Sequence, residues 1–261
     1  MLKKTTLADR HEILEIPLDT AIYNEIFFTG NYSPKLTSYI ERLISLNNVE
    51  VFIDIGSNCG LVTRSIINQL EKKIDYILVE PFPDLVNAAR FNLFPFNNAN
   101  IVFNQFALGK FNGSSKFYRE INNAGSGTTN LKLGSISRYN TFVLPVRRSG
   151  EFFNQILGKY SNVLIKSDLQ GDDAQVLSSI PEEKIRNIKA IVCELWSNPE
   201  VDRASVVNFL DKFSNGFSFF FLDSEQSISR LEVESLWLDG TNSFALHKYG
   251  IVKDLIVKNN N

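Results

Sequence analysis

The segment VFIDIGSNCG, Val51 to Gly60, constrains this chain more than any other stretch. An apolar run carrying one acid, Asp54, breaks at Gly56, and a second glycine, Gly60, stands just before a helix-like segment, LVTRSIINQLEKK, that begins at Leu61. Glycines at a strand-to-helix turn let the backbone approach a ligand closely. The helix N-terminus that follows offers unpaired N–H groups and a partial positive charge. Gly56, Ser57, Asn58 and Gly60 are therefore candidate ligand contacts. Asp54 either orients the turn or holds a cationic group of the ligand.

The same rhythm runs through the rest of the chain. Further strands are expected at Asp75–Glu80, Asn100–Gln105, Asn162–Asp168, Ile188–Leu195, Phe217–Asp223 and Ser243–Lys248, rich in β-branched and aromatic residues. Helices are expected from Leu61, Asp84, Glu151, Asp172 and Asp202. With Val49–Ile55, that pattern predicts an α/β fold: a doubly wound, seven-stranded, mostly parallel sheet with helices on both faces. Residues 1–48 read as an N-terminal helical extension or cap, and 49–261 as the α/β domain. The stretch at about 111–146 interrupts the alternation with the turn-rich NNAGSGTTN, an excursion suited equally to a ligand-binding loop or a surface loop.

Composition excludes several classes. A formal net charge of −2 gives no global field for nucleic acid, and the pairs Lys72-Lys73 and Arg147-Arg148 are too short to form patches. Cys59 and Cys193, the only cysteines, have no metal-ligand spacing and suit a reduced, cytoplasmic protein. His11 and His247 are far apart, so no histidine-based metal site is expected. No run is long and apolar enough to predict a transmembrane segment. Neither the G-x-G-x-x-G dinucleotide fingerprint nor the phosphate-loop G-x-x-x-x-G-K-[ST] occurs, which argues against nicotinamide and nucleoside-triphosphate sites.

DYILVEPFPD ends its strand at Glu80, about twenty residues past the glycine turn, where an acid can accept hydrogen bonds from both hydroxyls of a ribose. Pro81 and Phe82 follow, and Phe82 either flanks a base or packs in the core. At the end of the third strand, in NQFALG, Gln105 and Ala107 are candidate contacts for an adenine edge.

Together FTGNYSP (Phe28–Pro34), FIDIGSNCG, VEPFP, FALG, LIKSDLQGDDAQVL (Leu164–Leu177) and TNSFALHK resemble, in order, the FkbM family of methyltransferases. The resemblance implies a Rossmann-like class I methyltransferase sheet whose last strand runs antiparallel between its neighbours. It implies S-adenosyl-L-methionine as donor, with Asp54, Gly56, Gly60 and Glu80 at the donor site. The acceptor it implies is a hydroxyl of a small molecule or glycan. Where that family shows K-I-D-V-E-G-A-E, this chain has KSDLQGDD, with Gln170 in place of a glutamate.

Asp168, at the end of the fourth strand, is the expected base for an acceptor hydroxyl, and Glu194 on the next strand is the second candidate. Carboxylates on adjacent strand ends also suit a magnesium ion that polarises the hydroxyl. Lys166 shares a face with Asp168 and is placed to pair with an acid. Tyr32 either closes over the donor or packs; Trp196 and Trp237 either wall the acceptor or belong to the core, and His247 is structural. Alternatives to an O-methyltransferase acting on a sugar are a non-sugar natural product as acceptor, a non-catalytic donor-binding module motivated by Gln170, and a nicotinamide oxidoreductase, which the absent third glycine disfavours.

Overall fold

The computed structural model describes residues 2–7, 12–17, 20–29, 31–121, 127–129, 139–196, 202–222, 227–238 and 252–260. The chain opens with an antiparallel hairpin, β1 (Leu2–Leu7) and β2 (Glu12–Pro17), followed by helices α1 (Thr20–Thr29) and α2 (Pro34–Leu46). The N-terminal stretch is thus helical only in its second half. Leu14 and Ile16 are buried while Ile13 between strand partners is exposed, the two-residue period of a strand with one covered face.

The alternating unit begins with β3 (Val51–Ile55), α3 (Leu61–Gln69), β4 (Asp75–Val79), α4 (Pro83–Leu93) and β5 (Asn100–Asn104). A second sheet follows: β6 (Ala107–Gly109), β7 (Gly113–Glu120), β8 (Gly127–Thr128) and β9 (Tyr139–Arg148), in the order β6-β9-β7-β8. The chain returns through α5 (Ser149–Lys159), β10 (Val163–Ser167), α6 (Asp173–Leu177), β11 (Ile188–Trp196), α7 (Arg203–Ser214), β12 (Phe217–Phe221), β13 (Ser227–Ile228), α8 (Arg230–Leu238) and β14 (Val252–Asn259).

Among the described residues the main sheet has eight strands, ordered β13-β12-β14-β11-β10-β3-β4-β5. β13 is a two-residue addition to a seven-stranded core. From β11 through β10, β3 and β4 to β5 every pairing is parallel, and β14 runs antiparallel between β11 and β12. The reversed strand implied by the family resemblance is therefore present, but it is Val252–Asn259; the expected strand Ser243–Lys248 lies outside the described residues.

Strand β3 shows why the sheet forms. Val51, Ile53 and Ile55 face a core shared with Phe152, Phe153, Val176 and Phe209 from α5, α6 and α7. Phe52 faces the opposite core, with Ile40 and Ile44 of α2 and Val62 and Ile66 of α3. Burial on both faces is what a continuous apolar run in a parallel strand requires.

The expected excursion forms ordered sheet where it is described. Phe117, Leu144 and Val146 supply an inward face that closes over Phe82 and Leu85. Arg119 fixes it by a two-pronged pair to Asp84, both N···O distances 2.9 Å, while its guanidinium lies over the Phe82 and Phe142 rings. The second sheet thereby becomes a wall against the C-terminal edge of the main one.

Candidate functional site

Chain order reverses between β3 and β10: from β3 the sheet grows one way through β4 and β5, and the other way through β10 and β11. A crevice opens at such a switch point, outside the strand C-terminal ends. The turn after β3 lies in it. Gly56 N–H donates to the Val79 carbonyl at 2.9 Å and Asp168 N–H to the Ile55 carbonyl at 3.0 Å, which draws the ends of β4 and β10 onto β3. Gly56 has φ +71°, and a Cβ there would stand 2.0 Å from the Asp168 carbonyl oxygen. Only glycine lets the strands close that far. Gly60, at φ +77°, lies against Ala89 and Leu93 of α4, so it serves helix packing.

Two chambers flank this turn. The first holds about 740 Å³ of empty space, counting the part open to solvent, and is lined by Gly56, Asn58, Glu80, Pro81, Phe82 and Ala107, closed by Gly127, Thr129, Asp168 and Gln170. The second, about 670 Å³ on the same measure, is lined by Tyr32, Ser33, Leu36, Ser57, Asn58, Lys166, Asp168 and Glu194. Gly56, Asn58 and Asp168 belong to both.

Glu80 lies at the floor of the first chamber. Its carboxylate accepts the Asn58 N–H at 3.0 Å and the Phe82 N–H at 3.1 Å, tying the end of β4 to the glycine turn. Burial pushes its pKa up to about 7, against the pull of those two N–H groups and of Lys166. Asp54 faces neither chamber. It is fully buried; Oδ2 accepts from the Thr63 hydroxyl at 2.7 Å, and Oδ1 is ion-paired with Lys166 Nζ at 3.1 Å. Of its two expected roles, the geometry provides the orientation of the turn.

Lys166 is the cross-strand register partner of Asp54 and also stands 3.8 Å from Asp168 Oδ2 and 3.2 Å from the Gly56 carbonyl. Burial opposes its charge, but Asp54 and then Asp168 outweigh burial and raise its pKa. Asp168 accepts from Gln170 Nε2 at 2.9 Å, and the same nitrogen reaches Glu194 Oε2 at 3.3 Å. Asp173, buried at the start of α6, accepts from the Ser167 hydroxyl at 2.5 Å and from the Leu169 N–H, and burial pushes its pKa up to about 7.

The residues expected from the sequence largely converge here. Gly56, Ser57, Asn58, Glu80, Pro81, Phe82, Ala107, Asp168 and Glu194 line one chamber or both. Gln105 does not: it is exposed, and the chain turns Phe106 and Ala107 inward after β5. Phe82 is buried edge-on against Phe117 and Phe142, so it serves chiefly as packing beneath the second sheet. Tyr32 lines the second chamber, and burial, then Asp168, raises the pKa of its phenol. The side chains of Trp196 and Trp237 and the whole of His247 lie outside the described residues. Thr129 and Asp172, joined by a 3.2 Å hydrogen bond at the rim of the first chamber, are not expected individually from the sequence, although the turn-rich GSGTTN contains the first and LIKSDLQGDDAQVL the second.

The residues present do not fit the expected magnesium ion. An N–H donor, the Gln170 amide, occupies the place between Asp168 and Glu194 that a cation would take. Among the described residues no group of three or more His, Cys, Asp or Glu is gathered to hold a metal. A donor molecule fits better. The Ser57 hydroxyl is buried without a hydrogen-bond partner and lines the second chamber, and Glu80 presents a buried carboxylate to the first.

A mostly parallel sheet with one reversed strand next to its last long strand, opening a crevice at the switch point, is a Rossmann-like, doubly wound α/β architecture. No protein-family profile matches the chain, and no curated protein matches it in sequence. In structure it is similar to the O-methyltransferase of Bacillus cereus solved in complex with SAH, at 11% identity and a TM-score of 0.46, over 88% of this chain and 82% of that one. It is also similar to the SAM-dependent methyltransferase of Agrobacterium tumefaciens, at 7% identity and a TM-score of 0.47, over 100% of this chain and 70% of that one. Among the described residues no helix is long and apolar enough to cross a membrane, and both cysteines are buried.

Proposed function

We propose that this protein is an S-adenosyl-L-methionine-dependent methyltransferase acting on a hydroxyl of a sugar, glycan or related metabolite. The observation that carries the proposal is the meeting of Glu80 with the glycine turn: a buried acid hydrogen-bonded to Asn58, in a chamber continuous with the crevice. Glu80 would accept the ribose hydroxyls, with Pro81, Phe82 and Ala107 walling the adenine. Gly56, Ser57 and Asn58 would hold the amino-acid end, Ser57 through its unpartnered hydroxyl. Asp54 and Lys166 keep the turn in shape. S-adenosyl-L-methionine, when bound, would supply the methyl group that the acceptor oxygen takes from its sulfonium sulfur.

Alignment of this kind is worth on the order of 7–11 kcal/mol of a barrier. Asp168, common to both chambers, is the group to take the acceptor proton, which contributes about 10²–10⁴ in rate. Glu194 faces the second chamber and is the second candidate. The hydroxyl acceptor is supported by the ordered resemblance of the sequence motifs to the FkbM family.

The test is incubation of the purified protein with methyl-labelled donor and a panel of neutral glycosides and hydroxylated metabolites. Transfer to at least one, abolished by Asp168→Asn, is expected. Donor binding without transfer to any acceptor would point instead to a binding module.

A further inference from the structure

We propose that Gln170 is a positioning residue that joins Asp168 and Glu194 into one hydrogen-bonded unit at the place where the two chambers meet. The two acids come from neighbouring parallel strands, Glu194 within β11 and Asp168 directly after β10. Gln170 lines the first chamber, Glu194 the second, and Asp168 both. An amide nitrogen carries two hydrogens. One side chain therefore serves both carboxylates, at 2.9 and 3.3 Å, without adding charge.

The backbone is bent to achieve this. Gln170 has φ +53°, a left-handed conformation unfavourable for a residue with a Cβ, and Gly171 follows at +107°. Gly171 has nothing within 4 Å of where its Cβ would be, so the chain turns the glutamine back onto the strand ends beside open space. The bend is held from below by Asp173, which accepts the Leu169 N–H with both oxygens at 3.2 Å, and by the Asp172 N–H bond to the Leu169 carbonyl at 3.3 Å. Thr129 secures Asp172 from the second sheet.

The surrounding charges give the bridge its consequence. Lys166 approaches Asp168 from the same strand but is shared with Asp54 on β3. Tyr32, with Glu25 behind it, acts on Asp168 from the N-terminal segment, and Asp173 from the start of α6. Two carboxylates brought together here without a donor between them would favour the neutral form of one, because like charges this close repel. Gln170 supplies that donor and leaves Asp168 able to accept a proton, a role that rests on the methyl-transfer reading.

The test needs no acceptor. Carboxyl ¹³C signals of Asp168 and Glu194, assigned with Asp168→Asn and Glu194→Gln, are followed by NMR through a pH titration of the wild type and of Gln170→Leu. The midpoint at which the pair takes up its first proton should rise by about one pH unit or more in Gln170→Leu. It should rise further in the isosteric Gln170→Glu, where a carboxylate replaces the donor; that variant carries the test if the leucine variant does not fold. Unchanged midpoints overturn the bridge. Calorimetry of the wild type with S-adenosylhomocysteine runs alongside: absence of binding overturns the methyl-transfer reading but leaves the titration to decide the bridge.

Discussion

Replacing Gly56 by alanine should be far more damaging than its one added methyl group suggests. The new Cβ would lie 2.0 Å from the Asp168 carbonyl oxygen and 3.0 Å from its carbon, both backbone atoms that no rotamer can move. The turn must open, at the expense of the Asp168 N–H bond to Ile55 and the Gly56 N–H bond to Val79. Two such bonds are worth about 1 kcal/mol each. Holding alanine at φ +71° adds about 1–2 kcal/mol of strain. Reduced freedom of the unfolded chain returns about 0.4–1 kcal/mol. The net loss is roughly 2–3.6 kcal/mol, or about 4–14 °C in Tm for a domain of this size. Gly171→Ala is the control: it also has positive φ, but nothing lies within 4 Å, so only strain is added. Thermal unfolding of the two variants compares clash plus strain with strain alone. If Gly56→Ala melts no lower than Gly171→Ala, the close approach of β3 and β10 is not the reason for the glycine.

Arg119→Ala should lower the urea midpoint by the equivalent of about 2–3 kcal/mol, since it removes a largely buried partner from a half-exposed Asp84 and uncovers two phenylalanine rings. Asn92→Ala should cost about 2–4 kcal/mol and speed hydrogen exchange at the Glu15 amide, because the Asn92 amide bonds the Glu15 N–H and carbonyl and the Cys59 carbonyl. Glu80 and Asp173 both have folded pKa values raised by burial to about 7, so the folded state binds more protons than the unfolded chain between the ordinary carboxylate range and that value. Their contribution to stability must fall as pH rises from about 5 to about 7. Glu80→Gln and Asp173→Asn should each flatten the decline of Tm across that window; a slope unchanged by both contradicts the assignment.

The parallel core was legible because β3, β4, β10 and β11 are apolar runs bounded by turn residues, and a strand covered on both faces can be little else. The same property hid the orientation of Asp54. When every residue of a strand is buried, alternation carries no information, and only its partners, Thr63 nine residues on and Lys166 across the sheet, show where it points. β14 is not legible because VKDLIVKN sets a run of only three consecutive apolar residues among charges, as a solvated tail would; Leu255, Ile256 and Val257 are buried only because β11 and β12 close on either side. The second sheet was masked by turn residues between its strands, although Phe117 and Arg119 on one face of β7 have the period of a strand. Gln105 does not line the crevice because the chain turns between β5 and β6, which brings Ala107 to it instead. Gln170 looked like a lost carboxylate when compared with the family motif. In three dimensions it is a donor between two acids, a property of side chains 24 residues apart that spacing does not reveal.

Calorimetric titration of S-adenosylhomocysteine into the wild type and into Glu80→Ala tests the central claim most directly. The account predicts one equivalent bound by the wild type and affinity at least about tenfold weaker in the variant, a loss of about 1.4 kcal/mol. No binding to the wild type, or equal binding to both proteins, would contradict it.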